Sequence, residues 1–349
     1  MKSIVHICAH SAKNAGDRYL ANSVKTVFEK SMGEIAWIDL EMQQMFVESD
    51  LKIFNESDAI VVGGGGHISI NSFYFKEETG WSLGLTSDLI RKIEKPIIGY
   101  SIGYNLFRGE EMNNPIFEEN MDTLLDASPF FSLRHTGDIG KLKKVMGESY
   151  DIDLNFCSSM VCEEYRPCDS DKIVIQLAGD QILKRFGSEW NFNRFIKNMQ
   201  IIVGNLYRRG MKIYLVSHTN RDVEMTEAIK NKWVESKIDC EHINLVQQPI
   251  ENMRDFYYGI DTVFAMRGHS QMIPIGLGCK IVSLISHDKI KFLLEDLGIS
   301  STGVEVNDDD FVNKCFIAYD NARLIDFYEK MGIVRMNIDS NIKRIEGVI

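Results

Sequence analysis

Along the chain, short apolar runs rich in Ile and Val alternate with longer segments in which apolar positions recur at helical spacing. "SIVHICAH" precedes a helical pattern from Asp17 to Glu29, and "DAIVVGGGG" precedes a polar stretch. "KPIIGYSIG" precedes Pro115 to Leu125, and "PFFSLRH" precedes Thr136 to Met146. Continuous apolar runs read as strands buried on both faces, as in a parallel sheet, and the helical segments supply the crossovers. The pattern lapses in "DIDLNFCSSMVCEEYRPCDSD", where polar residues gather around Pro167 and neither period holds, which marks a domain boundary. It restarts with "KIVIQLAG", a helix from Glu189 to Arg208, "MKIYLVSH", a helix from Asp222 to Glu235, "HINLV", "IDTVFAM" and "KIVSLI". Asp308 to Met331 reads as one helix, with Phe311, Cys315, Phe316 and Tyr319 on one face and an acidic first turn. The expected fold class is α/β, with two Rossmann-like domains over 1–165 and 166–349 whose parallel sheets face a cleft. Such sheets bind ligands beyond the carboxyl ends of their strands, so residues just after strands are the ones to inspect.

A chain of 349 residues is long enough for two such domains. Its net charge of -11 repels nucleic acid and anionic lipid, so no nucleic-acid partner is expected and an anionic substrate needs a local cluster of cations. Seven scattered cysteines, Cys8 and Cys279 among them in apolar runs, suit reduced thiols, and no signal peptide or membrane span is visible. A cytoplasmic location follows as the expectation, with room for peripheral contact with a membrane surface. The sequence sets no oligomeric state.

The stretch "AMRGHSQMIPIGLGCKIVSL" sets Arg267 and His269 between a strand and a helix expected to begin near Ser270. Two potentially cationic side chains at a strand end and a helix N-terminus suit an anion site. Arg134 closes a strand in the other domain and is expected to approach the same anion, while the neighbouring His135 points the other way. The run Gly63 to Ser72, "GGGGHISINS", follows a strand and resembles a phosphate loop through Gly64, Gly65 and Gly66, though it matches neither G-x-G-x-x-G nor a Walker loop. Asn14, Gly16 and Asp17 form the expected loop after the first strand, with Asp17 available to cap the next helix. His218 ends another strand. "DID" and "DSD", Asp151 to Asp153 and Asp169 to Asp171, read as solvated turns. His6, Cys8 and His10 share a strand face without a fourth ligand in view, so no metal is assigned.

"NAGDRYL", "GGGG" after "DAIVV", "KPIIGYSIG", "FFSLRHTGDIGKLKKVMG" and "DTVFAMRGHSQMIPIGLGCKIVSLISHDKIKFLLEDLGI" resemble, in this order and spacing, the polysaccharide pyruvyl transferase family. The likeness runs from about Asn14 to Ile299, and the Arg-x-His element is its strongest part. Gly268 stands where the family usually has Leu, and His135 where an acidic residue usually follows the mid-chain arginine. The resemblance implies a glycosyltransferase-B type fold, phosphoenolpyruvate as donor, a pair of sugar hydroxyls as acceptor and a pyruvate ketal as product. By position, Arg267, His269 and Arg134 match family residues.

On that reading Arg134 and Arg267 hold the donor's two anionic groups, and His269 is the general acid that protonates the enol methylene. No cofactor or metal is expected. The acceptor is a sugar, lipid-linked or nucleotide-linked, of a surface polysaccharide or its precursor. The alternatives are a glycosyltransferase-B type enzyme with a nucleotide-sugar donor, and a non-catalytic carbohydrate-binding protein.

Overall fold

The computed structural model describes residues 1–11, 13–70 and 75–349. The chain divides into two compact units, one of Met1–Ala12, Leu20–Ser158 and Ile333–Ile349, the other of Lys13–Tyr19 and Ser159–Gly332. The main crossing thus falls a few residues before the expected 165/166 boundary. Each unit also takes in a segment that the sequence reading gave to the other half.

The first unit carries β1 (Lys2–Cys8), most of α1 (Ala15–Met32), β2 (Ile35–Glu41), α2 (Leu51–Glu56), β3 (Ala59–Ile68), α3 (Ser87–Ile90) and β4 (Ile97–Tyr104). These are followed by α4 (Pro115–Ala127), β5 (Phe130–Leu133), α5 (Thr136–Met146) and β6 (Asp153–Leu154). Its six strands run in the order β2-β1-β3-β4-β5-β6, and every pair is parallel. Residues of β1, β3 and β4 are almost wholly buried, which is why those strands appear as unbroken apolar runs. The sheet edge β2, "IAWIDLE", is mostly half-exposed, and its apolar run is only four residues long before Asp39, so it stands out less than the buried strands.

The second unit carries β7 (Lys172–Gln176), α6 (Ile182–Phe186), α7 (Glu189–Arg208), β8 (Lys212–Ser217), α8 (Asn220–Glu235) and β9 (Cys240–Asn244). After them come α9 (Ile250–Tyr257), β10 (Thr262–Ala265), α10 (His269–Leu277), β11 (Lys280–Ile285), α11 (Asp288–Asp296) and β12 (Gly303–Glu305). The helices α12 (Phe311–Ala322) and α13 (Phe327–Glu346) end the chain. The sheet order β12-β11-β10-β7-β8-β9 is again all parallel and reverses direction between β7 and β10. That is the Rossmann order, and the crevice at its reversal is where such sheets bind ligands. The expected single helix from Asp308 to Met331 is instead two, interrupted at residues 323–326, and the acidic run precedes α12. Phe311, Cys315 and Tyr319 are buried as the spacing predicts, with Tyr319 stacked on Phe264 of β10.

The four glycines from Gly63 to Gly66 lie inside β3, so the expected phosphate loop is corrected to a strand. Gly63 and Gly65 have φ of +116° and +129°, and a Cβ on Gly63 would stand 2.2 Å from the carbonyl oxygen of Tyr100 in β4. Glycine is needed there so that the strand can pair closely with β4. Asn71 and Ser72, the end of the run, lie outside the described residues. All seven cysteines are free thiols, six of them buried, and among the described residues no helix is long and apolar enough to cross a membrane.

The end of α13 belongs to the first unit and satisfies backbone groups around β6. Asn341 Nδ2 donates to the Leu154 carbonyl at 2.9 Å and Asn337 Nδ2 to the same oxygen at 3.0 Å, while Arg344 pairs with Asp153 at 2.7 Å. Of the two Asp-x-Asp patterns, Asp153 is thus ion-paired with Arg344, and Asp171 separately with Lys212 at 2.9 Å. Asn341 is buried, and removing its amide takes the donor from the Asn155 side-chain oxygen and leaves the Leu154 carbonyl with Asn337 alone. Asn341→Ala is expected to cost about 1–3 kcal/mol, read as a lower midpoint in thermal and denaturant unfolding.

Candidate active site

Three loops of the second unit meet at the carboxyl ends of β10, β7 and β8. Arg267 follows β10, Asp180 follows β7, and Asp222 sits at the third position of α8, after β8. Arg267 Nε donates to Asp222 Oδ2 at 2.9 Å, and its Nη2 donates to Asp222 Oδ1, to Asp180 Oδ1 at 2.6 Å and to Thr219 Oγ1 at 3.3 Å. Asp222 also accepts from the backbone N–H groups of Gly179, His218 and Thr219. Arg185, in α6, pairs with Asp180 at 3.2 Å and donates to Ser286 Oγ at 3.1 Å. Burial opposes the charge on Arg267, but Asp222 and Asp180 outweigh it and raise its pKa. Burial likewise works against ionised Asp180, and Arg267 and Arg185 together hold its pKa down to about 2.

Arg267 turns toward two carboxylates, and an incoming anion has to share it with them. Asp180, Arg185 and Asp222 were not singled out from sequence. The strand-end rule that found Arg267 applies equally to Asp180, and Thr219 with Asp222 has the spacing of a helix cap, which hides its ion pairing.

His269 is the first residue of α10 and is almost buried, with Nδ1 standing 3.2 Å from Asp17 Oδ1. Asp17 lies in the first turn of α1, which begins at Ala15, so Gly16 and Asp17 are helical rather than part of a loop. Asn14 directly precedes the helix, and its Oδ1 accepts from the Gly16 N–H at 2.9 Å. A Cβ on Gly16 would stand 2.4 Å from His269 Cβ, so only glycine lets the two helix starts approach this closely. The Ala15 N–H donates to the His218 carbonyl at 2.9 Å, and Arg18 Nη2 donates to the Val246 carbonyl at 2.6 Å. Asn14, Gly16, Asp17, His218, Arg267 and His269 therefore do come together in one unit.

His218 is fully buried, its Nε2 2.9 Å from the Tyr257 hydroxyl, and burial holds its pKa down to about 3. It is a neutral imidazole built into the wall of the site. Ser270 is also fully buried, and its hydroxyl serves Gln176 Oε1 and the Arg267 carbonyl, both at 2.8 Å. Gln176, at the end of β7, in turn accepts from the Arg267 N–H at 3.1 Å and fixes the turn. Pro274 lies inside α10, and all nine residues of that helix are buried, so packing holds it despite the missing N–H. Ser217, His242 and Glu227 form a hydrogen-bonded Ser–His–Glu series, but the Ser217 hydroxyl is wholly buried and closed to a substrate.

The other candidates lie in the first unit. Arg134 follows β5 and is buried, with its guanidinium packed where a Cβ on Gly103 would stand 2.5 Å away. His135 takes the position before α5 and is buried as well. Gly64 and Gly66 lie in β3, close to Leu20 of α1 and to Asn105 just after β4.

The folds of both units recur in sugar-nucleotide enzymes of the glycosyltransferase-B type. The chain is similar to the UDP-GlcNAc 2-epimerase of Neisseria meningitidis bound to UDP-GlcNAc, at TM-score 0.52 and 11% identity, covering 100% of this chain and 99% of that one. It is similar to the Methanocaldococcus jannaschii UDP-GlcNAc 2-epimerase in complex with UDP-GlcNAc and UDP, at TM-score 0.52 and 11% identity, over 96% and 99% of the two chains. It spans 66% of the length of a Thermobaculum terrenum O-GlcNAc transferase mutant, with TM-score 0.49 and 11% identity over 99% of this chain. At these identities the likeness is one of fold. No curated protein matches the chain in sequence. The family model for polysaccharide pyruvyl transferase matches residues 4–288, which include every residue of the site just described. The chain belongs to the polysaccharide pyruvyl transferase family.

Proposed function

We propose that the protein transfers the enolpyruvyl group of phosphoenolpyruvate to a sugar of a surface polysaccharide or its precursor, forming a pyruvate ketal. The observation that carries this reading is the Asp17–His269 pair at the head of α10, beside the Arg267 network. Asp17 Oδ1, 3.2 Å from His269 Nδ1, orients the ring, so Nε2, which is buried, is the nitrogen that delivers a proton once the donor displaces its neighbours. Protonation of the donor's methylene carbon makes the neighbouring carbon electrophilic, and a sugar hydroxyl adds there, passing its proton to the donor's phosphate. Phosphate leaves with the electrons of its C–O bond, and a second hydroxyl closes the ketal and releases its proton. The N–H groups of the first turn of α10 and the edge of the Arg267 guanidinium attract the donor's charge. Because Asp222 and Asp180 already fix that guanidinium, it needs no reordering when the anion arrives.

The fold shared with sugar-nucleotide enzymes supports one other reading, a transferase whose donor is a nucleotide sugar. Phosphate release from phosphoenolpyruvate, against nucleotide release from a sugar nucleotide, separates the two. Release of neither, with a sugar still bound, identifies a carbohydrate-binding protein.

His269→Gln is expected to retain much of the donor affinity while slowing turnover roughly a hundredfold or more, and to lose the limb of the pH–rate profile that its titration contributes. Asp17→Asn should slow turnover less. Parent rates with an unaltered profile would remove His269 from the role of acid.

Arg267→Lys keeps a charge but not the fork, and phosphoenolpyruvate binding by calorimetry should weaken about tenfold or more. Arg267→Ala should also destabilise the fold by about 3–5 kcal/mol, because two carboxylates lose a partner in a buried setting. The same titration on Arg134→Ala tests that residue separately. Unchanged affinity in all three variants would end the donor assignment.

Turnover is expected to survive excess EDTA, since the steps above use only proton transfer and fixed charges. Activity lost on chelation with the unfolding temperature unchanged, and restored by a divalent ion, would contradict this mechanism.

A further inference from the structure

In the first unit, the register of β1 on β2 sets His6 opposite Asp39, and partners in a parallel pair project to the same side of the sheet. His10, two residues beyond β1, folds back so that its Nε2 lies 3.0 Å from the His6 carbonyl oxygen and its ring meets that of His6 edge-on, with centroids 4.8 Å apart. One ligand atom from each of His6, His10 and Asp39 lies within 4.8 Å of the others. His10 Nε2 is 3.7 Å from Asp39 Oδ1, and Lys25 Nζ donates to Asp39 Oδ2 at 2.5 Å.

His6 supplies a second, independent observation. It is fully buried, and its Nε2 lies 2.6 Å from the Gly63 carbonyl oxygen. A carbonyl only accepts, so Nε2 carries the proton and Nδ1 keeps the lone pair. Among the described residues nothing bonds that Nδ1, although buried polar atoms are nearly always satisfied. Burial, and next the neighbouring His10, hold the His6 pKa down to about 3, so the imidazole is neutral. A neutral histidine whose far N–H is held by a backbone carbonyl is the usual form of a metal-binding imidazole.

We propose that His6, His10 and Asp39 form a binding site for a divalent ion of the zinc class. Two imidazoles and one carboxylate suit that class better than magnesium or calcium, which favour oxygen ligands. Bonds of roughly 2.0–2.1 Å put the ligand atoms of tetrahedral zinc about 3.3 Å apart, so the group has to close slightly. His10 and Asp39 can do this, because their side chains are 15% and 43% exposed while His6 is fixed, and His10 gives up the bond from its Nε2 to the His6 carbonyl and changes tautomer to ligate. Asp39 exchanges Lys25 for the ion, and water takes the remaining position. Cys8 stays out of the set, since its thiol donates to the Gly64 carbonyl. The ion fastens the edge strand β2 to β1.

The test uses the untagged full chain, stripped with a chelator, dialysed, and titrated with zinc against a chromophoric competitor, with cobalt as a spectroscopic probe of the ligand field. One equivalent is expected to bind and to raise the unfolding temperature. His10→Ala and Asp39→Asn, both at side chains that reach solvent, should each weaken binding tenfold or more and abolish the thermal gain, with unchanged circular dichroism. Absence of stoichiometric binding, or equal affinity in the double variant, would overturn the proposal. The readouts are affinity and unfolding temperature, so this outcome is independent of whether phosphoenolpyruvate is the donor.

Discussion

The Asp222 carboxylate has no access to solvent, and three loops of the second unit are arranged around it. It accepts N–H groups from the loop after β7 and the loop after β8, and a two-pronged contact from the arginine after β10. A buried carboxylate without partners would be untenable, so these loops hold one another in place through a single side chain. His269 lies two residues beyond Arg267 and His218 four residues before Asp222, and the position of both follows from that one anchor. The arrangement also gives Arg267 a second task beside the one the sequence reading assigned it. Arg267 first completes the fold and only then offers its edge to a ligand, whereas His269 is held from the other side by Asp17.

Much of this was legible in the chain because buried parallel strands advertise themselves. β1, β3, β4, β7, β8, β10 and β11 are runs that leave almost no side chain in water, and the residue after each run is where a doubly wound sheet places its chemistry. Arg267, His269 and Asp17 were found in that way. The edge strands β2, β6 and β12 were not, because each is half-exposed, and β6 and β12 are very short. Pairing information was missing too. Nothing in the sequence says that Asp39 stands opposite His6, since that depends on the register of a strand which itself went unseen.

The glycine run shows the opposite failure. Four successive glycines suggest a loop wrapped around a phosphate, but their lack of side chains serves a close approach between β3 and β4, where the Tyr100 carbonyl occupies the space of a Cβ. Composition alone does not distinguish a backbone that must approach a ligand from one that must approach another strand. The same ambiguity surrounds Gly16, which faces His269 rather than a substrate.

Neither unit is a continuous piece of the chain. Lys13–Tyr19 belongs with the second unit and Ile333–Ile349 with the first. During synthesis the Leu154 carbonyl in β6 therefore waits for Asn337 and Asn341, which leave the ribosome only after the whole second unit. Until α13 is made, the Leu154 carbonyl at the edge of the first unit's sheet lacks both of these donors. Dividing the chain between Ser158 and Ser159 would make that loss permanent, because Asn337 and Asn341 would lie on the other piece.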